Sequence, residues 1–345
     1  MRKTIQGIIV CCFILLSRLL PAQTYLQKVR HPELFQGAHQ SKKYFEGWYF
    51  KNISLDTSAA WAIIPGIAYD KKKNKKAFIQ FINGKTAQTY YFEFDISQFH
   101  FSKDSFHISI GKNSFSKTGL HLDIEQDNHR IMCDLHFTDL VTLPAHSLLS
   151  ANVMGPFALT PMQCKHGICS MQHRIMGNLE FDGTTYHFNK GKGYLEKDWG
   201  KSFPEKYIWL QSNHFANQQT SLSVSIASIP KLGFQFTGLL AVLYTQGEYH
   251  QFYTYNSTKI KTLNVDENKA KIELKRRKKR LVIEVERRKS GALQAPTKGN
   301  MDRKIAESID AIIHYQLFKG DKIISEGTGC MGGLEIVNMT ETKEK

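Results

Sequence analysis

Leu281, Ile283 and Val285 alternate with polar neighbours, and the same two-residue period returns in short runs along the chain. Successive side chains of an extended strand point to opposite faces, so this period describes sheets with one face buried and one wet. No apolar three-four spacing persists long enough for a substantial helix. The expected class is all-β with few short helices. Runs at 44–51, 61–68, 77–82 and 89–94 come first, the last two joined at the hairpin signal Asn83-Gly84. Runs at 106–110, 120–124 and 131–137 continue a meander, broken at Gly111, Gly119 and Asp127-Asn128. Residues 143–161 interrupt the rhythm as a crossover with one helical turn. Residues 174–181 then turn at Asp182-Gly183 into 185–188. Later runs lie at 221–229, 234–244, 249–255, 259–265, 269–274 and 280–286, and 309–317 pairs with 322–327 across Lys319-Gly320-Asp321.

The densest chemistry lies between Gly193 and Phe215. Read as extended chain, Tyr194, Glu196 and Asp198 share one face. Past Gly200 and the corner Ser202-Phe203-Pro204, Tyr207, Trp209, Gln211 and Asn213 share a face of the next run. Polar groups buried without partners cost a few kcal/mol each, so large aromatics interleaved with acids and amides describe a cavity wall. Tyr44-Phe45-Glu46 and Tyr194-Leu195-Glu196 are similar segments that would open two like domains. The expected domains are two lipocalin-like antiparallel β-barrels, 31–192 and 193–338, each of a size whose interior holds one small ligand.

Residues 1–23 read as a secretory leader. Arg2 and Lys3 precede the apolar run 8–16, and Leu20-Pro21-Ala22 supplies a small-residue cleavage site. The implied location is exported, periplasmic or extracellular; the alternative is an uncleaved N-terminal anchor. Residues 339–345 form a charged tail. Of six cysteines, Cys11 and Cys12 fall in the leader. Cys133, Cys164, Cys169 and Cys330 remain as structural thiols, free or bridged, with Cys164 and Cys169 spaced for closure of a tight hairpin. A zinc site would want paired short spacings and only one exists, so no metal is expected. The net charge is +15, or +12 without Arg2, Lys3 and Arg18. Much of it sits in the runs 71–76 and 275–280, where strands turn. Aromatics are not interleaved there, which excludes a nucleic-acid surface and leaves solvated hairpin tips or peripheral contact with anionic headgroups.

Phe45-Glu46-Gly47-Trp48-Tyr49, Met154-Gly155-Pro156-Phe157, His166-Gly167 and Glu196-Lys197-Asp198-Trp199-Gly200-Lys201-Ser202-Phe203-Pro204 together resemble the tocopherol cyclase family. The resemblance runs from His31 to Val337. It implies paired lipocalin-like barrels and closure of a prenylated hydroquinone to a chromanol, without metal, nucleotide or redox cofactor. The plant members are plastid proteins, whereas this chain opens on an export-type leader. No Gly-rich phosphate loop precedes a helix, in keeping with the absence of a nucleotide.

Such a reaction protonates a trisubstituted alkene and lets the phenol oxygen capture the tertiary cation. It needs a strong acid in a dry pocket, aromatic faces for the cation and an acceptor for the phenol proton. Asp198 is the first candidate acid, with Glu196 beside it and Glu46 third. Trp48, Trp199 and Trp209 would face the cation, with Tyr194 on the acids' own face. His214 or Tyr207 would take the phenol proton, and Gln211 and Asn213 would orient the quinol oxygens. Each has a structural rival: Glu196 and Asp198 as partners of Lys192 or Lys201, Trp48 and Trp209 as core, His166 and His214 as hydrogen-bonded structural histidines. The alternative function is a non-catalytic exported carrier of a hydrophobic isoprenoid or lipid, because one cavity would serve either role.

Overall fold

The computed structural model describes residues 27–144, 152–231 and 234–339. The expected leader and almost all of the charged tail lie outside them. One sheet takes β1 (Tyr44–Ile53), β2 (Ala60–Tyr69), β3 (Lys75–Asn83), β4 (Thr89–Asp95), β5 (Phe99–Phe101), β6 (His107–Ile110), β7 (Asn113–Ser116), β8 (Gly119–Gln126), β9 (His129–Val141), β10 (Cys164–Phe181), β11 (Thr184–His187) and β12 (Gly191–Gly200). The other takes β13 (Tyr207–Ser212), β14 (His214–Phe215), β15 (Ser221–Lys231), β16 (Phe234–Thr245), β17 (Glu248–Tyr253), β18 (Lys259–Val265), β19 (Lys269–Arg276), β20 (Lys279–Glu286), β21 (Gly291–Thr297), β22 (Asn300–Lys319) and β23 (Lys322–Val337). Short turns connect most neighbours, which makes the ladders antiparallel. Asp182 and Gly183 both take positive φ, 49° and 77°, the geometry a two-residue hairpin requires. The crossover contains a five-residue 3-10 turn, Gly155–Leu159. Both basic runs sit at hairpin tips, between β2 and β3 and between β19 and β20.

Three expectations change. Both pairing paths are open: β4 and β5 end one, β17 and β18 the other, and no ladder joins those ends among the described residues. Each sheet nevertheless curls onto itself. Phe50 of β1 and Phe115 of β7, far apart in strand order, bring their ring centroids to 5.8 Å. Second, β12 does not begin the second sheet. It lies in the first, between β1 and β10, so the two similar aromatic segments face each other across one ladder, Tyr49 opposite Glu196 and Trp48 opposite Lys197. The change of sheet falls at residues 201–206. Third, Cys164 and Cys169 lie along β10 rather than across a turn. Five extended residues span roughly 16 Å, beyond disulfide reach, and all four cysteines are free.

Among the described residues three large cores form, beside a small cluster of Ala68, Phe78 and Met301. Trp48, Phe50, Trp61 and Phe81 fill the concave side of the first sheet. Ile208, Leu210, Val224 and Ile283 fill that of the second. Buried aromatic and branched side chains contribute about 1.5–3 kcal/mol each, so these interiors are stability cores and not the ligand spaces that two lipocalin-like barrels would offer. A third core joins the sheets, with Tyr49 and Tyr194 from one and Tyr207 and Trp209 from the other. The main cavity opens here.

Candidate active site

The alternation of β1 and β12 sorts their polar residues into two sets. On the face toward the first sheet's own core, Lys197 pairs with Glu46, both side chains wholly buried. The Lys197 ammonium also lies 4.7 Å from the Trp48 ring and 4.9 Å from that of Trp199, and donates to the carbonyls of Pro32 and Leu34. Glu46 accepts further bonds from the Tyr44 hydroxyl at 2.6 Å and the Gln36 amide at 2.8 Å. Trp48 donates its indole N–H to the Glu33 carbonyl and stacks on Phe106. Glu46 and Trp48 are thus fastened into a core and do not line the main cavity. Trp199 stays on the same side.

The opposite face points between the sheets. There Glu196 and Asp198 meet neither Lys192 nor Lys201 but His166, which β10 places directly opposite Asp198. His166 Nδ1 lies 3.0 Å from Asp198 Oδ1, and Nε2 lies 3.6 Å from Glu196 Oε2. The same Oε2 accepts from the Tyr194 hydroxyl and, at 3.1 Å, from the Trp209 indole. Burial favours the uncharged form of Glu196, and Asp198 adds to the rise, against His166 and the two hydrogen bonds; the carboxyl reaches about 7. Burial alone would lower His166, but Asp198, Glu196 and the hydrogen bond outweigh it and raise the imidazole to about 9. Glu196 and His166 are therefore both raised, and it is the Glu196 carboxyl that changes protonation close to neutral pH. Their ligand atoms also lie within 4.8 Å of one another, so the trio has the donor set for a divalent cation.

The cavity beside them has a volume of roughly 110 Å³ and opens to solvent at its mouth. Its polar end is His166, Glu196, Asp198, Tyr207 and Glu335; its walls are Trp209, Phe203, Ile229, Phe236, Leu239 and Leu240, with Met154 and Phe157 from the 3-10 turn. Gly155 allows that turn, with φ +49° and the Tyr255 ring where a side chain would sit. A second lobe continues past the same acids toward Tyr49, Ile64, Phe78 and Ile305, and the lobes share Glu196, Asp198, Phe203, Trp209 and Glu335. The carboxyls stand at a waist between two apolar spaces. Gly333 permits the close approach of Trp209, since a Cβ there would lie 2.5 Å from the indole ring.

Of the residues expected at the site, Asp198, Glu196, Tyr207 and Trp209 come together on the cavity wall. Tyr194 sits behind Glu196, bonded to it and, at 3.2 Å, to Ser223. Gln211 accepts from buried Lys51 at 2.8 Å, and Asn213 donates to the Gly193 carbonyl at 2.8 Å, so both are structural joints between the sheets. His214 is paired along β23 and kept neutral by burial and by Lys51 and Lys192, away from the cavity lining. Sequence reasoning weighed His166 as structural and passed over Tyr49, Glu307 and Glu335. A glutamate between Leu334 and Ile336, in the otherwise apolar end 330–337 of its strand, was the available signal.

The sequence signature of the tocopherol cyclase-like family matches residues 157–337. The chain belongs to this family. The matched span includes β10, β12, β13 and β23, which carry every acid of the cavity's polar end. Over 96 residues the chain is 29% identical to the chloroplastic tocopherol cyclase of Zea mays and 28% identical to the probable chloroplastic tocopherol cyclase of Oryza sativa subsp. japonica. Each alignment covers 26% of this chain and 20% of the relative, so the chain matches about a fifth of the length of these curated relatives. The crystal structure of CghA with Sch210972 superposes with a TM-score of 0.56 at 12% identity, covering 85% of this chain and 88% of that one. A second CghA structure gives 0.54, again at 12% identity, over 88% and 90%. These likenesses show a shared fold.

Proposed function

We propose that this chain is a tocopherol cyclase-like enzyme that closes a prenylated hydroquinone, or a related prenyl lipid, to a chromanol by acid catalysis without a redox cofactor. The observation that carries this reading is the Glu196–His166–Asp198 trio at the waist of a two-lobed apolar cavity. A prenyl quinol reacts at an internal alkene, with an aromatic ring on one side and the rest of its chain on the other. A waist with acids and a lobe on each side fits that layout.

Glu196 is the proposed acid. Tyr194, Trp209 and His166 all address its Oε2, so Oε1 is the oxygen that would carry the proton to the alkene carbon. The tertiary cation so formed would face the Trp209 ring, where the negative face of the indole stabilises it. The phenol oxygen bonds to the cationic carbon and its proton passes to Asp198. The cycle closes by exchange with solvent at the cavity's open mouth: Asp198 loses the phenol proton, Glu196 regains one, and His166 stays an imidazolium between the two carboxyls. Substrate and product are isomers and no electrons are exchanged.

The test is incubation of the protein with a prenylated hydroquinone, following chromanol formation in wild type, Glu196→Gln and Asp198→Asn. Product in wild type and its loss in Glu196→Gln are expected. Full activity in that variant removes Glu196 from the acid role. Prenyl lipid that co-purifies and is returned unchanged would favour the carrier.

A further inference from the structure

The second sheet holds two acids that the trio's chemistry leaves unused. Glu307 of β22 and Glu335 of β23 are Cα partners across their ladder, so the register itself holds the two carboxyls side by side between the sheets. Both residues are buried, at 1% and 9% exposure. Each carboxyl accepts a phenol: Tyr49 donates to Glu307 Oε1 at 2.5 Å and Tyr207 donates to Glu335 Oε2. Two carboxyls held side by side in a buried site cannot both carry a charge without a cation bonded to one of them, so one of the two keeps a proton.

The charged groups around the pair do not remove that requirement. Among the described residues neither acid makes an ion pair. From β1, Tyr49 is bonded to Glu307, and Lys51 is directed to Gln211. From β12, Glu196 and Asp198 add negative charge. Arg303 spends its guanidinium on the Pro204 and Glu205 carbonyls, and Arg287 acts on Glu335 only at a distance. Burial pushes both carboxyls up.

We propose that Glu307 and Glu335 hold one proton between them, and that Tyr207 links this pair to the cavity as its second proton-handling group, facing the His166–Asp198 side. Glu335 and Tyr207 both line the mouth lobe, and Glu335 also lines the inner one. Transfer is a relay. With the shared proton on Glu307, a substrate hydroxyl gives its proton to the Tyr207 oxygen while Tyr207 gives its own to the Glu335 carboxylate, and the reverse shift restores the pair. The assignment of Tyr207 to catalysis rests on the function proposed above; the shared proton does not.

Infrared spectroscopy of the full chain near neutral pH, in water and heavy water, tests the pair without substrate. Wild type is expected to show a protonated-carboxyl band that shifts in heavy water and is altered in both Glu307→Gln and Glu335→Gln, whose amides keep the hydrogen bonds. No such band in wild type, or a band that neither substitution alters, overturns the shared proton. For the relay, Tyr207→Phe should lower kcat about tenfold or more and displace one limb of its pH profile, with Glu307→Gln displacing the same limb. Profiles that coincide with wild type in both variants overturn the link to the cavity. Absence of turnover in wild type refutes the proposed activity and leaves the infrared result to stand or fall alone.

Discussion

Glu46 and Glu196 sit on adjacent strands of one ladder, both buried, and have opposite surroundings. Glu46 meets Lys197, a phenol and an amide, with the ammonium itself held by two carbonyls and two indole faces. Its charge is neutralised and its lone pairs are used. Glu196 meets a phenol, an indole and a histidine already shared with Asp198, and it borders open space. A buried acid with a dedicated cation is a joint; a buried acid without one is poised to exchange a proton.

Substitutions should separate the two by what they break. Glu196→Gln should lower turnover of a prenyl quinol by about 100- to 10,000-fold while the fold persists, because the amide oxygen still accepts from Tyr194 and Trp209. Glu46→Gln should do the reverse. It strands the Lys197 ammonium in a core, at a cost of about 3–5 kcal/mol seen as a lowered denaturant midpoint, with little change in kcat for the protein that remains folded. An equal loss of activity from both changes, at equal stability, would erase the distinction.

Stability against pH probes the same contrast. Glu196 and Glu335 are each raised to about 7 in the folded protein, chiefly by burial. A raised group favours the folded state fully below its unfolded value, about 4.3 for glutamate, and loses that advantage as pH climbs through the folded value. His166 acts in the same direction over a higher window, from about 6.5 unfolded to about 9 folded. Wild type should therefore lose stability relative to Glu335→Gln as pH rises from about 4.3 through 7, on the order of 1–3 kcal/mol. Thermal melts across that range measure it. The smallest expected effect is that of a chelator: turnover unchanged, although the trio has a divalent-cation donor set and added zinc should inhibit.

The strands were legible because their two-residue period is local, as at Leu281, Ile283 and Val285. The pairing of β1 with β12 was not, since nothing in either segment encodes a partner some 150 residues away, and the two similar segments read as a repeat instead of as neighbours. Face alternation correctly joined Tyr194 to Glu196 and Asp198, and Tyr207 to Trp209. It could not say that Gln211 would be taken by Lys51, or that Trp48 would point into a closed core. Glu307 and Glu335 become a pair only through cross-strand register, which depends on bulges in β22 and β23 near Gly332.

The most direct measurement is cyclisation of a prenylated hydroquinone in heavy water, with the chromanol analysed by mass spectrometry and NMR. Protonation by Glu196 predicts one deuterium on the ring carbon derived from the alkene, adjacent to the new ether carbon, and its disappearance along with product in Glu196→Gln. Chromanol carrying no deuterium at that carbon, or formed at the wild-type rate by Glu196→Gln, would contradict it.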